Sequence, residues 1–152
     1  MLSREELTNI ISGLVPGAEF PEGKQLLEVI VPAESYFSLA EKLKSDPKTA
    51  FNYLITQTAV DFQTYMTVVC HLESTEFRHM VVLKANLTDR ENPAIDSLTA
   101  LYPTAEYFER EIFDLFGIRF NNHPNLKRLF LEDDYGYPLR KDFRDEINII
   151  ER

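Results

Sequence analysis

The sequence predicts an α+β fold of two layers, helices on a mixed, mostly antiparallel sheet, followed by an extended C-terminal arm. Three observations predict it. Strand-like runs at 51–58, 63–72 and 77–85 are separated by turns too short for helical crossovers, which makes them antiparallel neighbours. Amphipathic helical spacing occurs before these runs and again after them, so helices and strands are segregated rather than strictly alternating. Beyond residue 117 no long period survives, yet apolar residues persist to the end of the chain.

The elements follow in order. Ser3 and Glu6 have capping-box spacing, and Leu7, Ile10, Ile11 and Leu14 recur at helical intervals until Gly13 and Gly17 break the pattern. Residues 24–31 read as a strand closed by Pro32. Tyr36, Leu39, Ala40 and Leu43 then form the stripe of a second helix, which stops at Ser45-Asp46-Pro47. In the run 63–72, Met66, Val68, Cys70 and Leu72 share one face, which makes Cys70 a small buried apolar residue and leaves His71 on the other side. Asn92-Pro93 and Pro103 punctuate the chain. Thr104 is placed to cap a helix over 105–116, and Gly117 to end it.

Composition narrows the function. At 152 residues the chain is one domain by default, able to bury about two thirds of its unfolded surface without metal or disulfide staples. Its 25 acidic and 16 basic side chains give a net charge of -9, which disfavours nucleic acid as a partner. The one cysteine cannot ligate an iron-sulfur cluster or form an internal disulfide. The longest apolar run, Met80 to Leu83, falls far short of the about 20 residues of a membrane span. The first residues carry no signal-like apolar region, which predicts a cytoplasmic chain.

Recognisable chemistry is sparse. With five glycines there is neither GxGxxG nor a phosphate-binding loop, so no nucleotide cradle is expected. His71, His79 and His123 lack metal-ligand spacing and read as structural or surface residues. Glu111 and Asp114 are spaced to share a helix face, so a stand-alone hydrolase using them is conceivable, with Arg110 beside them and no nucleophile in sight. A nucleic-acid adaptor built on Lys127, Arg128, Arg140 and Lys141 is disfavoured by net charge.

The helix over 105–116 has more apolar residues than one core stripe uses. Phe108, Ile112, Leu115 and Phe116 fall within about 100° of arc, a normal buried face. Tyr107 and Phe113 fall outside it, among Glu106, Glu109, Arg110, Glu111 and Asp114, on the side expected to face solvent with Glu106–Arg110 and Arg110–Asp114 pairs. Two aromatics in a charged face point to a partner surface. From Ile118 onward Phe120, Leu126, Leu129, Phe130, Leu131, Tyr135, Tyr137, Leu139, Phe143, Ile147, Ile149 and Ile150 are scattered through an irregular segment too apolar to be disordered. An arm lying along another surface accounts for them. Part of it, as far as residue 131, is expected to pack back on its own sheet. As a partner-binding arm, the tail from about residue 125 onward is expected to be protease-sensitive in the free monomer.

Three consecutive blocks carry a family resemblance. They are Tyr107-Phe108-Glu109-Arg110-Glu111-Ile112-Phe113-Asp114-Leu115-Phe116-Gly117-Ile118-Arg119-Phe120, then Asn122-His123-Pro124-Asn125-Leu126-Lys127-Arg128-Leu129, then Tyr137-Pro138-Leu139-Arg140-Lys141-Asp142-Phe143. In order and spacing they resemble the 30 kDa subunit family of respiratory complex I, the NADH:quinone oxidoreductase, known in bacteria as the C subunit. Tyr107 stands where that family commonly has tryptophan.

The resemblance implies a non-catalytic, hydrophilic scaffold subunit of the peripheral arm of the complex. It would bind no cofactor of its own, FMN, iron-sulfur clusters and quinone being held by other subunits. It would dock on the 49 kDa-type (D) subunit, peripheral to the inner face of the cell membrane. Residues 1–117 would form the α+β domain and 118–152 the partner-binding arm. By the same resemblance Glu109, Arg110, Glu111 and Asp114 order the helix and its partner contact, with Tyr107 and Phe113 beside them. His123, Pro124, Lys127, Arg128, Arg140, Lys141 and Asp142 would fix the arm. The nearest alternative is the equivalent subunit of a related membrane-bound hydrogenase or formate hydrogenlyase.

Overall fold

The computed structural model describes residues 1–145 and 150–151. Helix α1 (Arg4–Leu14) opens on the capping box that the sequence predicts: Ser3 Oγ accepts from the Glu6 amide, and the Glu6 carboxylate accepts from the Ser3 amide. Strand β1 (Glu28–Val31) is shorter than expected. Ahead of it the Leu27 carbonyl still accepts from the Val82 amide of the neighbouring strand, while the carbonyls of Lys24 and Leu26 accept from the Arg4 guanidinium. Helix α2 (Ala33–Ser45) ends at Asp46, as the Ser-Asp-Pro sequence predicts.

Strands β2 (Tyr53–Asp61), β3 (Met66–Glu73) and β4 (Met80–Leu87) form the expected antiparallel meander. β1 then joins β4 in parallel, so the sheet order is β1-β4-β3-β2. Two short strands were not legible in the sequence. β5 (Ala94–Asp96) and β6 (Arg119–Asn121) flank helix α3 (Ala105–Phe116) and pair in parallel. The last described pair is β7 (Arg144–Asp145) with β8 (Ile150–Glu151). Ile147 and Ile149 lie outside the described residues.

The cross-strand register fixes what the helices cover. Val29, Leu83, Cys70 and Gln57 stand in one row across the four strands, all buried. The apolar members of that row pack with Leu7 and Ile11 of α1, Leu39 and Leu43 of α2, and Ile112 and Phe116 of α3 in one core. Cys70 is buried as expected, and its thiol is pushed up in pKa first by burial, so it is no activated nucleophile. Ile118 and Phe120 are buried in the same core, so the chain stays with the body past Gly117.

Two local expectations are corrected. Thr104 makes no side-chain cap, because its backbone is already helical and the amides of Ala105 and Glu106 are taken by the carbonyls of Tyr102 and Pro103. Gly117 does end α3, with φ 75°, and it has a second reason to be glycine. A Cβ there would come within 2.7 Å of the Tyr137 ring and 2.8 Å of Arg140 Nη2.

Candidate partner interface

Helix α3 is covered on two sides, by the sheet and by the returning arm, so two carboxylates expected in solvent are inside. Glu109 is fully buried. Its Oε1 accepts from Ser97 Oγ at 2.6 Å, and its Oε2 accepts from the Leu98 amide at 2.9 Å and from Gln57 Nε2 at 3.1 Å. Burial pushes its pKa up against the opposing pull of these donors. Gln57 also donates to Tyr36 Oη, while its Oε1 has no hydrogen-bond partner.

Asp114 is likewise fully buried, turned to the arm rather than to solvent. Arg128 Nε donates to its Oδ1 at 2.6 Å, and the amides of Phe130 and Leu131 donate to its Oδ2 at 2.8 and 3.3 Å. Burial alone would raise its pKa. The Phe130 amide, Arg128 and the Leu131 amide outweigh burial and hold the carboxyl below its ordinary range.

These contacts replace the ion pairs expected along the helix. Arg110 does not bridge Glu106 and Asp114. Its guanidinium donates to the carbonyls of Lys127 and Arg128 at 3.3 and 3.2 Å and lies over the Tyr107 ring. Glu111 is half-buried in a groove of about 160 Å³ with Thr58, Leu115 and Leu139. Because Asp114 is engaged on the arm side, it and Glu111 do not converge on a common site.

The arm is fastened by further contacts along its length. His123 Nε2 bonds the Glu106 carbonyl at 3.0 Å, while its Nδ1 accepts from the Asn125 amide. Arg128 Nη2 donates to the Gly136 carbonyl, and Arg140 Nε donates to the Phe116 carbonyl at 2.6 Å. Both guanidiniums sit about the Tyr137 ring, at 4.9 and 5.0 Å from its centre. Farther on, the Lys141 amide donates to Asp61, whose carboxylate also pairs with Arg90, and Arg90 reaches Asp142 at 3.3 Å. Burial works against the charge on Asp61, and the Lys141 amide, Arg90 and the Gln63 amide outweigh it, holding its pKa low. Hydrogen bonds hold the arm to the body as far as Asp142, past residue 131, where the packing back was expected to end.

The predicted set is thereby sorted by position. Arg128 and Arg140 turn inward, which leaves Lys127 and Lys141 as the exposed members of the four basic residues. Pro124 and Asp142 are exposed. Phe113 is half-buried, beneath Arg119 and beside Tyr137. Tyr107 is 62% exposed and Phe130 is 75% exposed. Sequence reasoning missed Gln57, Asp61, Arg90 and Ser97. The sole local signal was Asp61 at a hairpin, where its carboxylate accepts from the Gln63 amide.

The family profile described as "Respiratory-chain NADH dehydrogenase, 30 Kd subunit" matches residues 29–147. The NADH-quinone oxidoreductase C subunit of Moorella thermoacetica is 44% identical over 134 residues, 86% of this chain and 88% of that one. The NADH-quinone oxidoreductase C/D subunit of Phocaeicola vulgatus is 40% identical over 120 residues, 78% of this chain and 23% of that longer one. Among solved structures, a chain of the membrane-bound sulfane sulfur reductase, an archaeal respiratory membrane complex, superposes with a TM-score of 0.78 at 27% identity, covering 95% of this chain and 87% of that chain. No described helix is long and apolar enough to cross a membrane. With its three motif blocks inside the matched region, the chain belongs to the 30 kDa (C) subunit family of the NADH-quinone oxidoreductase complex.

Proposed function

We propose that this chain is a non-catalytic structural subunit of the peripheral arm of a proton-translocating NADH:quinone oxidoreductase, and that it docks on the D-type (49 kDa) subunit on the cytoplasmic side of the membrane. The observation that carries the proposal is the α3–arm surface. The buried Asp114 carboxylate fastens the arm to α3, while Tyr107, against the Arg110 guanidinium, and Phe130 on the arm remain largely exposed. Rigid aromatic anchors of this kind, next to a fixed guanidinium, are what central interface positions use. Glu109 and Asp114 act from beneath by ordering the surface. Tyr107, Arg110, Glu111, Phe113, Lys127 and the outer arm are the contact candidates.

A relative that carries the C and D portions in one chain supports the choice of partner. In this proposal FMN, the iron-sulfur clusters and quinone belong to other subunits. The described residues contain no group of three or more His, Cys, Asp or Glu side chains arranged to hold a metal ion.

The test is affinity purification of the tagged chain from its source cells in mild detergent. Wild type is expected to bring down a D-type subunit together with flavin- and NADH-binding partners, and Tyr107→Ala with Phe130→Ala to lose them without loss of fold. Full recovery with the double variant would overturn the assigned surface. The structural neighbour favours a second reading, the equivalent subunit of a related membrane-bound respiratory complex. Recovery of a D-like subunit without NADH-binding partners would select it, and recovery of no partner would refute both.

A further inference from the structure

Glu109 lies in the core with neutral donors around it and no Lys or Arg among its hydrogen-bond partners. Its Oε1 begins a chain of hydroxyls: Ser97 Oγ at 2.6 Å, then Thr99 Oγ1 at 2.7 Å from Ser97, and Thr99 is partly exposed. Either hydroxyl can be the donor in the Ser97–Thr99 bond, so the chain has two complete polarities. With Glu109 ionised, Thr99 donates to Ser97 and Ser97 donates to Oε1. With Glu109 protonated at Oε1, Glu109 donates to Ser97, Ser97 to Thr99, and Thr99 to water.

We infer that Glu109 is a reversible proton-binding site in the core, filled from solvent through Thr99 and Ser97 without opening of the fold. A hydronium proton adds to Thr99 Oγ1, the proton of Thr99 passes to Ser97 Oγ, and that of Ser97 passes to Glu109 Oε1. One proton enters and one carboxylate becomes a carboxylic acid. The Leu98 amide and Gln57 Nε2 donate to Oε2 in both states, so the backbone need not move. The surroundings leave the site responsive. Tyr36 from α2 and Cys70 from β3 face it as neutral groups, both held protonated by burial. His123, from the start of the arm, acts in the opposite sense to burial and favours the ionised form. On α3 itself Arg110 is turned to the arm carbonyls.

The raised pKa of Glu109 sets the sign of the effect. A carboxyl that holds its proton more tightly when folded contributes stability that is fully present below the ordinary glutamate range and is lost as the pH rises through its folded value. Glu109→Gln copies the protonated form: its amide nitrogen can donate to Ser97 and its carbonyl can accept from Leu98 and Gln57.

The experiment measures melting temperature against pH, from about pH 3, below the ordinary glutamate value, to about pH 8, for the wild type and Glu109→Gln, and follows the Glu109 carboxyl carbon by NMR over the same range. The two melting curves are expected to meet at the acid end and separate as the pH rises, with the glutamine variant the more stable. The carboxyl carbon is expected to titrate as one averaged line while the amide spectrum of the sheet stays folded. Ser97→Ala and Thr99→Val are expected to lose that averaging. Parallel melting curves, or a carboxyl carbon that titrates only as the protein unfolds, would overturn the site. Unchanged averaging in both hydroxyl variants would overturn the relay.

Discussion

Arg128 Nε lies 2.6 Å from Asp114 Oδ1, with the arginine side chain 7% exposed and the aspartate fully buried, so an ion pair out of solvent joins the arm to the helix it returns to. Removing one member of such a pair leaves the other charge uncompensated, at a cost of about 3–5 kcal/mol. Asp114→Asn is therefore expected to release the arm and lower stability by an amount at the lower end of that range, because the Phe130 and Leu131 amides keep an oxygen to bond. Limited proteolysis with urea unfolding is the check. A cleavage pattern over 127–143 identical to that of the wild type would contradict the assignment.

Acid should loosen the same attachment. Asp114 and Asp61 both have lowered pKa values, so each contributes stability that is present above the ordinary aspartate value and lost as the pH falls through its lower folded value. The arm contacts should still hold at the ordinary aspartate value of about pH 4 and give way only as the pH falls further below it. NMR resonances of Tyr137, which lies between Arg128 and Arg140, report this directly. Glu109 has the opposite sign and should not mask it.

Arg90 fastens a different stretch. It pairs with Asp61 and reaches Asp142, so Arg90→Ala should free Lys141 and Asp142 while leaving the Asp114–Arg128 contact in place. Trypsin gives the readout. Cleavage at Arg140 and Lys141 is expected to accelerate, and cleavage at Lys127 and Arg128 to stay at the wild-type rate. Equal acceleration at both places would show that the two attachments open as one.

Gly117→Ala combines a backbone and a packing fault. A left-handed conformation costs a residue with a Cβ about 1–2 kcal/mol, and the added carbon would meet the Tyr137 ring at 2.7 Å. Tyr137 must move, which disturbs its contacts with both arginines. Thermal unfolding should show a loss exceeding the backbone cost alone. A loss within about 1 kcal/mol would mean that the arm yields without strain.

Much of the body was legible because its signals are local. The Ser3–Glu6 box, the α2 stripe, the shared face of Met66, Val68, Cys70 and Leu72, and Gly117 each depend on neighbours a few residues away. The outward face of α3 was misread for a physical reason. Helical phase separates one side from another but does not say that a second layer covers both, and the arm covers the side where Asp114 points. Gln57 and Glu109, or Asp61 and Lys141, meet only because the sheet register and the arm bring distant segments together. β5 and β6 are three residues each, too short for an alternating pattern to emerge.

The parallel seating of β1 beside β4 imposes an order of events on folding. β2, β3 and β4 are joined by tight turns and can zip by short loop closures, whereas Glu28 must find Val82 across most of the intervening meander. On a ribosome, residues 28–31 emerge long before their template does. Until β4 is synthesised, Val29 and Val31 have no ladder to join and their apolar side chains have no sheet to cover them. The N-terminal third of the chain is therefore the part most exposed to misassociation during synthesis, and completion of β4 is the step that ends that exposure.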